Sequence, residues 1–298
     1  MVDAAIESLR LAATASREYY GKPLLVCYSG GKDSDVLARL CQIGKVDCEF
    51  VHSLTTADAP QTVMHVRQTF ARLEADGFKC HVQLPYFKGE RTTMWKLIPL
   101  KKYPPTRLAR YCCDVLKETS GKHRMCALGV RKSESNARKA RGEFEVIFKD
   151  KERRGRWDFD AASEAIESAR ELPEVFDCNL VTNMKSRGKT AVNPIVEWTD
   201  DDVWDFIHDE KVDICDLYGM GYLRVGCVCC PFGGYASMRR EGADFPKYRM
   251  AYIRAFDKMI AARVADGKDT DWKTGEEVWH WWVRDGVLPG QMTLGLED

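Results

Sequence analysis

Apolar and polar positions along the first half of the chain follow two alternating rhythms. Short apolar runs (Leu24-Leu25-Val26-Cys27, then 48–52, 79–84 and 126–130) have the length of buried strands and are bounded by turn-forming residues. Between them, apolar residues recur every three or four positions over 35–42, 61–76 and about 106–118, the spacing of helices with one buried face. Ile6, Leu9, Leu11 and Ala12 predict a further helix ahead of the first strand. This alternation predicts an α/β fold, a doubly wound parallel sheet with helices on both faces. Such sheets take ligands at the carboxyl ends of their strands.

The rhythm breaks from about 143 to 191. Lys149-Asp150-Lys151-Glu152-Arg153-Arg154-Gly155-Arg156 is a dense charge run, and Ser186-Arg187-Gly188-Lys189 is a polar turn. The segment reads as an insertion, either a solvated excursion or a basic contact for a polyanion. Order returns at Val192-Asn193-Pro194-Ile195. Thr199 then caps a helix whose first turn, Asp200, Asp201 and Asp202, suits the positive end of the dipole. Val203, Trp204, Phe206 and Ile207 supply its apolar face. From about Tyr235 the pattern is mainly helical, and Trp272, Trp279, Trp281 and Trp282 read as packing residues. The expected organisation is a nucleotide-binding domain over 1–233, carrying the insertion, and a helical C-terminal extension over 234–298.

Bulk properties narrow the class only a little. The net charge is zero over 298 residues, so no global field favours nucleic acid or membrane. No apolar run reaches the roughly 20 residues of a membrane helix, and the first residues lack a signal-peptide core. A cytoplasmic location is the expectation. There the twelve cysteines stay reduced and matter where they cluster. Cys27, Cys41, Cys48, Cys80, Cys126, Cys178 and Cys215 are scattered through apolar segments and read as small buried hydrophobes.

Two constellations carry chemistry. The first strand ends in Ser29-Gly30-Gly31-Lys32-Asp33-Ser34, directly before a helix. Gly30 and Gly31 let the backbone turn and approach a ligand. The helix start adds free N–H donors and a positive dipole end, Ser29 and Ser34 add hydroxyls, and Lys32 adds a charge. This is an anion site without Walker A spacing. The second constellation is Cys112-Cys113 with a distant Cys227-Val228-Cys229-Cys230-Pro231. Cys112, Cys113, Cys227 and Cys230 make a four-thiolate set suited to a [4Fe-4S] cluster, with zinc as the alternative. Adjacent cysteines diverge, which favours the cluster, and Cys229 is left to substitute or to pack.

The loop resembles the PP-loop, S-G-G-x-D-S, of the ATP pyrophosphatase and adenine nucleotide α-hydrolase superfamily, in which it holds the pyrophosphate of ATP. With the cysteines it resembles the phosphoadenosine phosphosulfate (PAPS) reductase family, whose cluster-bearing members use this four-cysteine pattern. Three further segments fit in order: Gly129-Val130-Arg131-Lys132-Ser133-Glu134-Ser135-Asn136-Ala137-Arg138, Asn193-Pro194-Ile195-Val196-Glu197-Trp198-Thr199 with Asp202-Val203-Trp204, and Leu217-Tyr218-Gly219-Met220-Gly221-Tyr222. The resemblance spans about 20–235. It implies a nucleotide site of Ser29, Gly30, Gly31, Lys32, Asp33, Ser34, Arg131, Glu134, Ser135 and Arg138, with Lys32, Asp33 and Arg131 catalytic. Arg131 and Arg138 offer fork-shaped donors to phosphate or sulfate, Glu134 orients them, and Asp33 helps bind Mg2+ with ATP.

Two departures redirect the expected chemistry. Family reductases carry a nucleophilic cysteine in a C-terminal Glu-Cys-Gly-Leu-His tail, whereas this sequence has no cysteine after Cys230. Where they show D-T-G-x-x-x-P-E-T, it reads Ser53-Leu54-Thr55-Thr56-Ala57-Asp58-Ala59-Pro60-Gln61-Thr62. Both count against reduction of PAPS or adenylyl sulfate, and in lacking the tail the chain resembles the Dnd-type DNA phosphorothioation relatives, which have ATP pyrophosphatase activity. The expectation is therefore an ATP-dependent, AMP- and pyrophosphate-forming sulfur-transfer enzyme. Its sulfur donor would be a cysteine desulfurase or thioredoxin-like protein, and its acceptor, nucleic acid or metabolite, is left open. Alternatives are a thiol-dependent reductase of PAPS or adenylyl sulfate working through Cys229, and a non-catalytic nucleotide- or cluster-sensing module.

Overall fold

Leu24, Leu25 and Val26 are buried, as a central parallel strand flanked on both faces requires. They form β1 (Leu24–Cys27), hydrogen-bonded in parallel to β2 (Cys48–Ser53) on one side and β6 (Met125–Ala127) on the other. With β3 (Lys79–Gln83), β7 (Phe144–Phe148) and β8 (Lys189–Val192), the six-stranded sheet has the order β3-β2-β1-β6-β8-β7. β8 runs parallel to β6, and β7 is an antiparallel edge strand. The chain winds outward from β1 through β2 to β3, then returns to β6 on the other side of β1. The C-terminal ends of β1 and β6 therefore flank the topological switch point, where open α/β sheets bind ligands. These features come from a computed structural model that describes residues 1–148, 180, 184 and 188–284.

Contacts divide the described chain into two compact units, Met1–His52 with Gln61–Gln83 and Ser120–Val225, and Ser53–Pro60 with Leu84–Thr119 and the residues from Gly226 onward. In the first unit, α1 (Val2–Ala15), α2 (Lys32–Gly44), α3 (Pro60–Ala75) and α6 (Asp200–Asp209) cover the sheet. Ile6 and Leu9 of α1, Val36, Leu37 and Leu40 of α2, and Val203 and Phe206 of α6 share its core with Leu24, Val26 and Phe50. Gly44 lets α1 approach closely, since a Cβ there would lie 2.7 Å from the Ile6 side chain. α6 starts as expected: the Thr199 hydroxyl accepts the Asp202 N–H at 3.1 Å and the Asp202 carboxylate accepts the Thr199 N–H at 2.8 Å.

The second unit holds a small hairpin, β4 (Tyr86–Phe87) and β5 (Glu90–Arg91), with α4 (Met94–Lys101), α5 (Tyr111–Leu116), α7 (Gly234–Asp244), α8 (Pro246–Ala265) and α9 (Gly275–Val283). Its centre is aromatic. Tyr252 of α8 meets Trp95 at 4.9 Å and Trp282 at 4.8 Å, with Trp279 and Phe256 beside it. The tryptophans read as packing residues do pack: Trp279 and Trp282 are buried, and Trp272 and Trp281 meet at a 60° tilt with centroids 5.0 Å apart.

Several sequence expectations need correction. The helix expected over 106–118 shrinks to α5, because Pro104 and Pro105 lead into a turn in which Thr106 accepts the Ala109 N–H. The strand expected over 126–130 stops at Ala127, so that the chain can turn toward the loop after β1. The α4 helix and the hairpin before it escaped the apolar pattern. Both described ends of the expected insertion are sheet strands, β7 and β8, rather than surface excursion. The charge run at 149–156, Ser186, Arg187 and Cys178 lie outside the described residues. No helix among the described residues is long and apolar enough to cross a membrane.

Phe50 on β2 is fully buried and meets Phe78 edge-on at 5.5 Å. Phe50→Ala is expected to lower unfolding free energy by about 3–5 kcal/mol. Urea denaturation should show this as a lower midpoint at unchanged slope.

Candidate functional site

β1 passes into the 29–34 loop at the switch point. Gly30 has a φ of +80°, and a Cβ there would sit 3.0 Å from Val66 and 3.1 Å from Thr62. Only glycine meets both conditions. Gly31 caps α2, which starts at Lys32 rather than Asp35, so the loop opens directly onto the helix N-terminus. The Gly30 N–H donates to Ser34 Oγ (3.1 Å), the Ser34 hydroxyl donates to the Gly31 carbonyl (2.7 Å), and the Ser29 and Ser34 hydroxyls meet at 3.2 Å. The two serines therefore brace the loop. The Lys32 N–H donates to the Tyr218 hydroxyl at 2.9 Å. Tyr218 thus meets the first donor of the helix, with burial raising its pKa.

The charged side chains form one network. Arg131, in the loop after β6, is 2% exposed. Its Nε donates to Asp33 Oδ1 at 2.6 Å, its Nη2 to Asp200 Oδ1 at 2.9 Å, and its Nη1 to Ser133 Oγ at 2.9 Å. Lys32 Nζ reaches the same Asp200 oxygen at 2.8 Å and Asp33 at 3.7 Å. Lys32, then Arg131, hold the Asp200 carboxyl below the usual carboxylate range against the opposing effect of burial. One carboxylate oxygen thus bridges two cations, as a phosphate oxygen does at such a site. Gly129 is the hinge of this approach: a Cβ there would lie 3.0 Å from the Asp33 carbonyl oxygen.

Glu134 accepts the Arg131 backbone N–H at 3.1 Å and pairs with Arg138, as an orienting acid should. Burial, then the neighbouring Arg141, lowers the Arg138 pKa, and Arg224 and Arg131 act in the same sense. Arg131, Arg141 and Arg224 therefore all lie near Arg138, and Glu134 and Glu145 pair with Arg138 and Arg141. Ser135 is exposed, with extended backbone between two short helical turns. Two contributors were read for other reasons. In the sequence Asp200 reads only as a partner for a helix dipole and Tyr218 only as part of a motif; nothing local shows that either reaches Lys32.

The cysteine set lies in the second unit. Cys112 and Cys113 occupy the first turn of α5. Their thiols are hydrogen-bonded to each other, which pushes Cys112 up and brings Cys113 down to about 6, aided by Lys117 and Arg110. Cys227 and Cys230 form a tight turn (Cys230 N–H to the Cys227 carbonyl, 3.2 Å) and act electrostatically on Cys112. Burial pushes Cys227 up to about 11 while Lys117 opposes it. The turn rests on Ala57 and Asp58: the Val228 N–H donates to the Ala57 carbonyl at 2.8 Å, and Cys227 bridges Asp58. The Tyr252 hydroxyl holds the Val228 carbonyl at 2.9 Å. Cys229 has a φ of +59° and is fully buried, its thiol donating to the Met238 carbonyl at 3.5 Å and its N–H to Glu241.

All four candidate ligands are free thiols in one unit, with Lys117 close by to offset negative charge. The donor chemistry fits a thiolate-bound metal or cluster. As the side chains stand, no group of three or more His, Cys, Asp or Glu among the described residues is arranged to hold a metal ion, so ligation requires them to converge.

A glycine loop, a helix start and paired cations meet at the switch point of a doubly wound α/β sheet, an arrangement with the donors to take an anion. The chain belongs to the phosphoadenosine phosphosulfate reductase domain family, whose model matches residues 23–232. An uncharacterized protein of Methanocaldococcus jannaschii is 25% identical over 257 residues, 85% of this chain, and the chain spans half the length of that relative. Among solved structures, a PAPS reductase from Candida auris in complex with phosphate aligns with 75% of this chain and 88% of its own, at 18% identity and a TM-score of 0.46. The U34-tRNA thiolase NcsA of Methanococcus maripaludis, with its [4Fe-4S] cluster, covers 96% of this chain and 84% of its own, at 12% identity and a TM-score of 0.40.

Asp200 occupies both cations that an incoming phosphate would use, and its side chain is 60% exposed, free to swing into water. Asp200→Asn is expected to tighten binding of inorganic pyrophosphate roughly two- to fivefold, the effect of losing an exposed competing ion pair. Titration calorimetry measures it; weaker binding would mean that Asp200 supports the anion rather than competing with it.

Proposed function

We propose that this chain is an ATP-dependent enzyme that forms AMP and pyrophosphate while activating an acceptor for sulfur transfer. The observation that carries the reading is the pair of buried cations, Lys32 and Arg131, converging on one anionic oxygen at the N-terminus of α2. In this reading the loop N–H groups and Lys32 hold the β- and γ-phosphates. Arg131 takes an oxygen of the α-phosphate as an acceptor oxygen attacks it and pyrophosphate leaves. Asp33 gives up part of its contact with Arg131 to help bind Mg2+, which supplies Lewis-acid stabilisation to the leaving pyrophosphate. Glu134 keeps Arg138 turned toward the nucleotide, and Ser135 lies between them on the same segment. A sulfur nucleophile then displaces AMP from the activated acceptor, exchanging a C–O or P–O bond for a bond to sulfur.

Cys112, Cys113, Cys227 and Cys230 would hold a [4Fe-4S] cluster, which supplies a site for binding or delivering sulfur. Lys117 and Arg110 balance the charge of the thiolates. The sulfonucleotide-reductase alternative through Cys229 is disfavoured: burial, then Glu241, raises that thiol's pKa, and its hydrogen is committed to Met238. The segment that departs from the reductase pattern, Ala57 and Asp58, is here occupied in supporting the Cys227 turn.

Incubation with ATP and Mg2+ together with bulk tRNA or DNA is expected to yield AMP and pyrophosphate by chromatography. Lys32→Ala should slow turnover by about 10²–10³-fold. ADP and phosphate as products, or no ATP binding, would overturn the assignment. Anaerobic reconstitution with iron and sulfide should give a charge-transfer absorbance that bleaches on reduction and is lost in Cys113→Ser and Cys230→Ser. A colourless protein that retains zinc would replace the cluster with the metal alternative.

A further inference from the structure

Two cysteines read as packing residues sit together at the root of the 29–34 loop. β1 and β6 are paired in parallel with Leu25 opposite Cys126. Residues two apart on a strand share a face, so Cys27 projects from the same face as Leu25 and, on the adjacent strand, Cys126. The Cys126 thiol donates to the Gly121 carbonyl at 3.8 Å, and the two thiols lie close enough to act on each other. Together with Leu25, Val51 and Leu128 they form a small apolar cluster, separate from the main core, in which Cys126 is fully buried and Cys27 is partly exposed.

The surroundings are electropositive. Lys189 and Arg124 act on both thiols, and each cation is held in place: Lys189 Nζ donates to the Ser120 carbonyl at 2.7 Å, and Arg124 pairs with Glu49 at 2.7 Å. The neighbouring Cys126 thiol, then Lys189 and Arg124, lower the Cys27 pKa against the effect of burial. A partly exposed thiol beside fixed cations and a second thiol is the setting in which cysteines react. The buried pair Cys41 and Cys48 gives the contrast: their thiols also act on each other, burial adds to that in pushing Cys41 up, and no cation acts on it.

We propose that Cys27 and Cys126 form a redox-active dithiol, oxidised by peroxides to a disulfide two residues before the nucleotide loop. In the first step the Cys27 thiolate attacks one oxygen of the O–O bond. It becomes a sulfenic acid, and the other oxygen leaves as alkoxide or hydroxide and takes a proton from water. In the second step Cys126 Sγ attacks Cys27 Sγ, and the sulfenic hydroxyl departs with the thiol proton as water. Two electrons pass from the dithiol to the peroxide, and a small-molecule dithiol reverses the change. The inference does not depend on the proposed reaction, since it needs neither ATP nor the four-cysteine set.

The test is hydrogen peroxide treatment of the purified full chain, followed by peptide mapping without reduction. A linked peptide pair carrying Cys27 and Cys126 is expected, reversed by dithiothreitol, while Cys41 and Cys48 stay as thiols. In Cys126→Ser the oxidation should stop at Cys27 and be trapped there by dimedone. Should that variant fail to fold, the wild-type map decides alone. Cys27 and Cys126 recovered unlinked while other cysteines oxidise, or a dimedone adduct on Cys41 in preference to Cys27, would overturn the proposal.

Discussion

The first unit depends on one buried guanidinium. Arg131 is almost sealed from water, and a charge so placed is tolerated only when it is paired and hydrogen-bonded. Its partners come from three elements: Asp33 from the start of α2, Asp200 from the start of α6, and Ser133 and Glu134 from its own loop. Each is ordinary alone. Together they oblige the segments after β1, β6 and β8 to end at one place, the switch point of the sheet. Gly129 makes that convergence sterically feasible, since a side chain there would press on the α2 backbone.

The network is also balanced in charge, two cations against two carboxylates. Asp33 meets Arg131 at its Nε and is largely covered, whereas Asp200 is mostly exposed and holds the faces of Lys32 and Arg131 nearest the loop. Under the proposed function a polyphosphate would displace the exposed carboxylate, which loses little on return to water. Contacts with Asp33 and Ser133 hold Arg131 in place apart from Asp200.

Legibility in the sequence followed the range of the forces involved. Strands β1 to β3 and helices α2 and α3 rest on local apolar periodicity and were readable, as was the Thr199 cap, whose partner lies three residues away. The loop was readable because its glycines and serines act within six residues. Asp200 was not, because its partners are distant in sequence and meet only through the winding of the sheet. The helix expected over 106–118 failed for a local reason: two prolines and a turn braced by Thr106 outweigh the periodicity. The four cysteines could be named as a set but not placed. Their support, Tyr252 on the Val228 carbonyl and Ala57 beneath the turn, comes from an aromatic core assembled from remote segments.

The two thiol pairs of the first unit show the same limit at the level of chemistry. Cys27, Cys41, Cys48 and Cys126 look alike in sequence, each a small residue in an apolar run. Strand register separates them, because it sets Cys126 beside Cys27 and brings Arg124 and Lys189 to that face. Cys41 and Cys48 meet inside the core, where a thiolate would be desolvated without compensation. Burial alone would make both pairs inert. The difference is two fixed positive charges, Lys189 and Arg124. Arg124 lies just before β6 and Lys189 opens β8, so the charges that act on Cys27 come from the opposite end of the strands to Lys32 and Arg131.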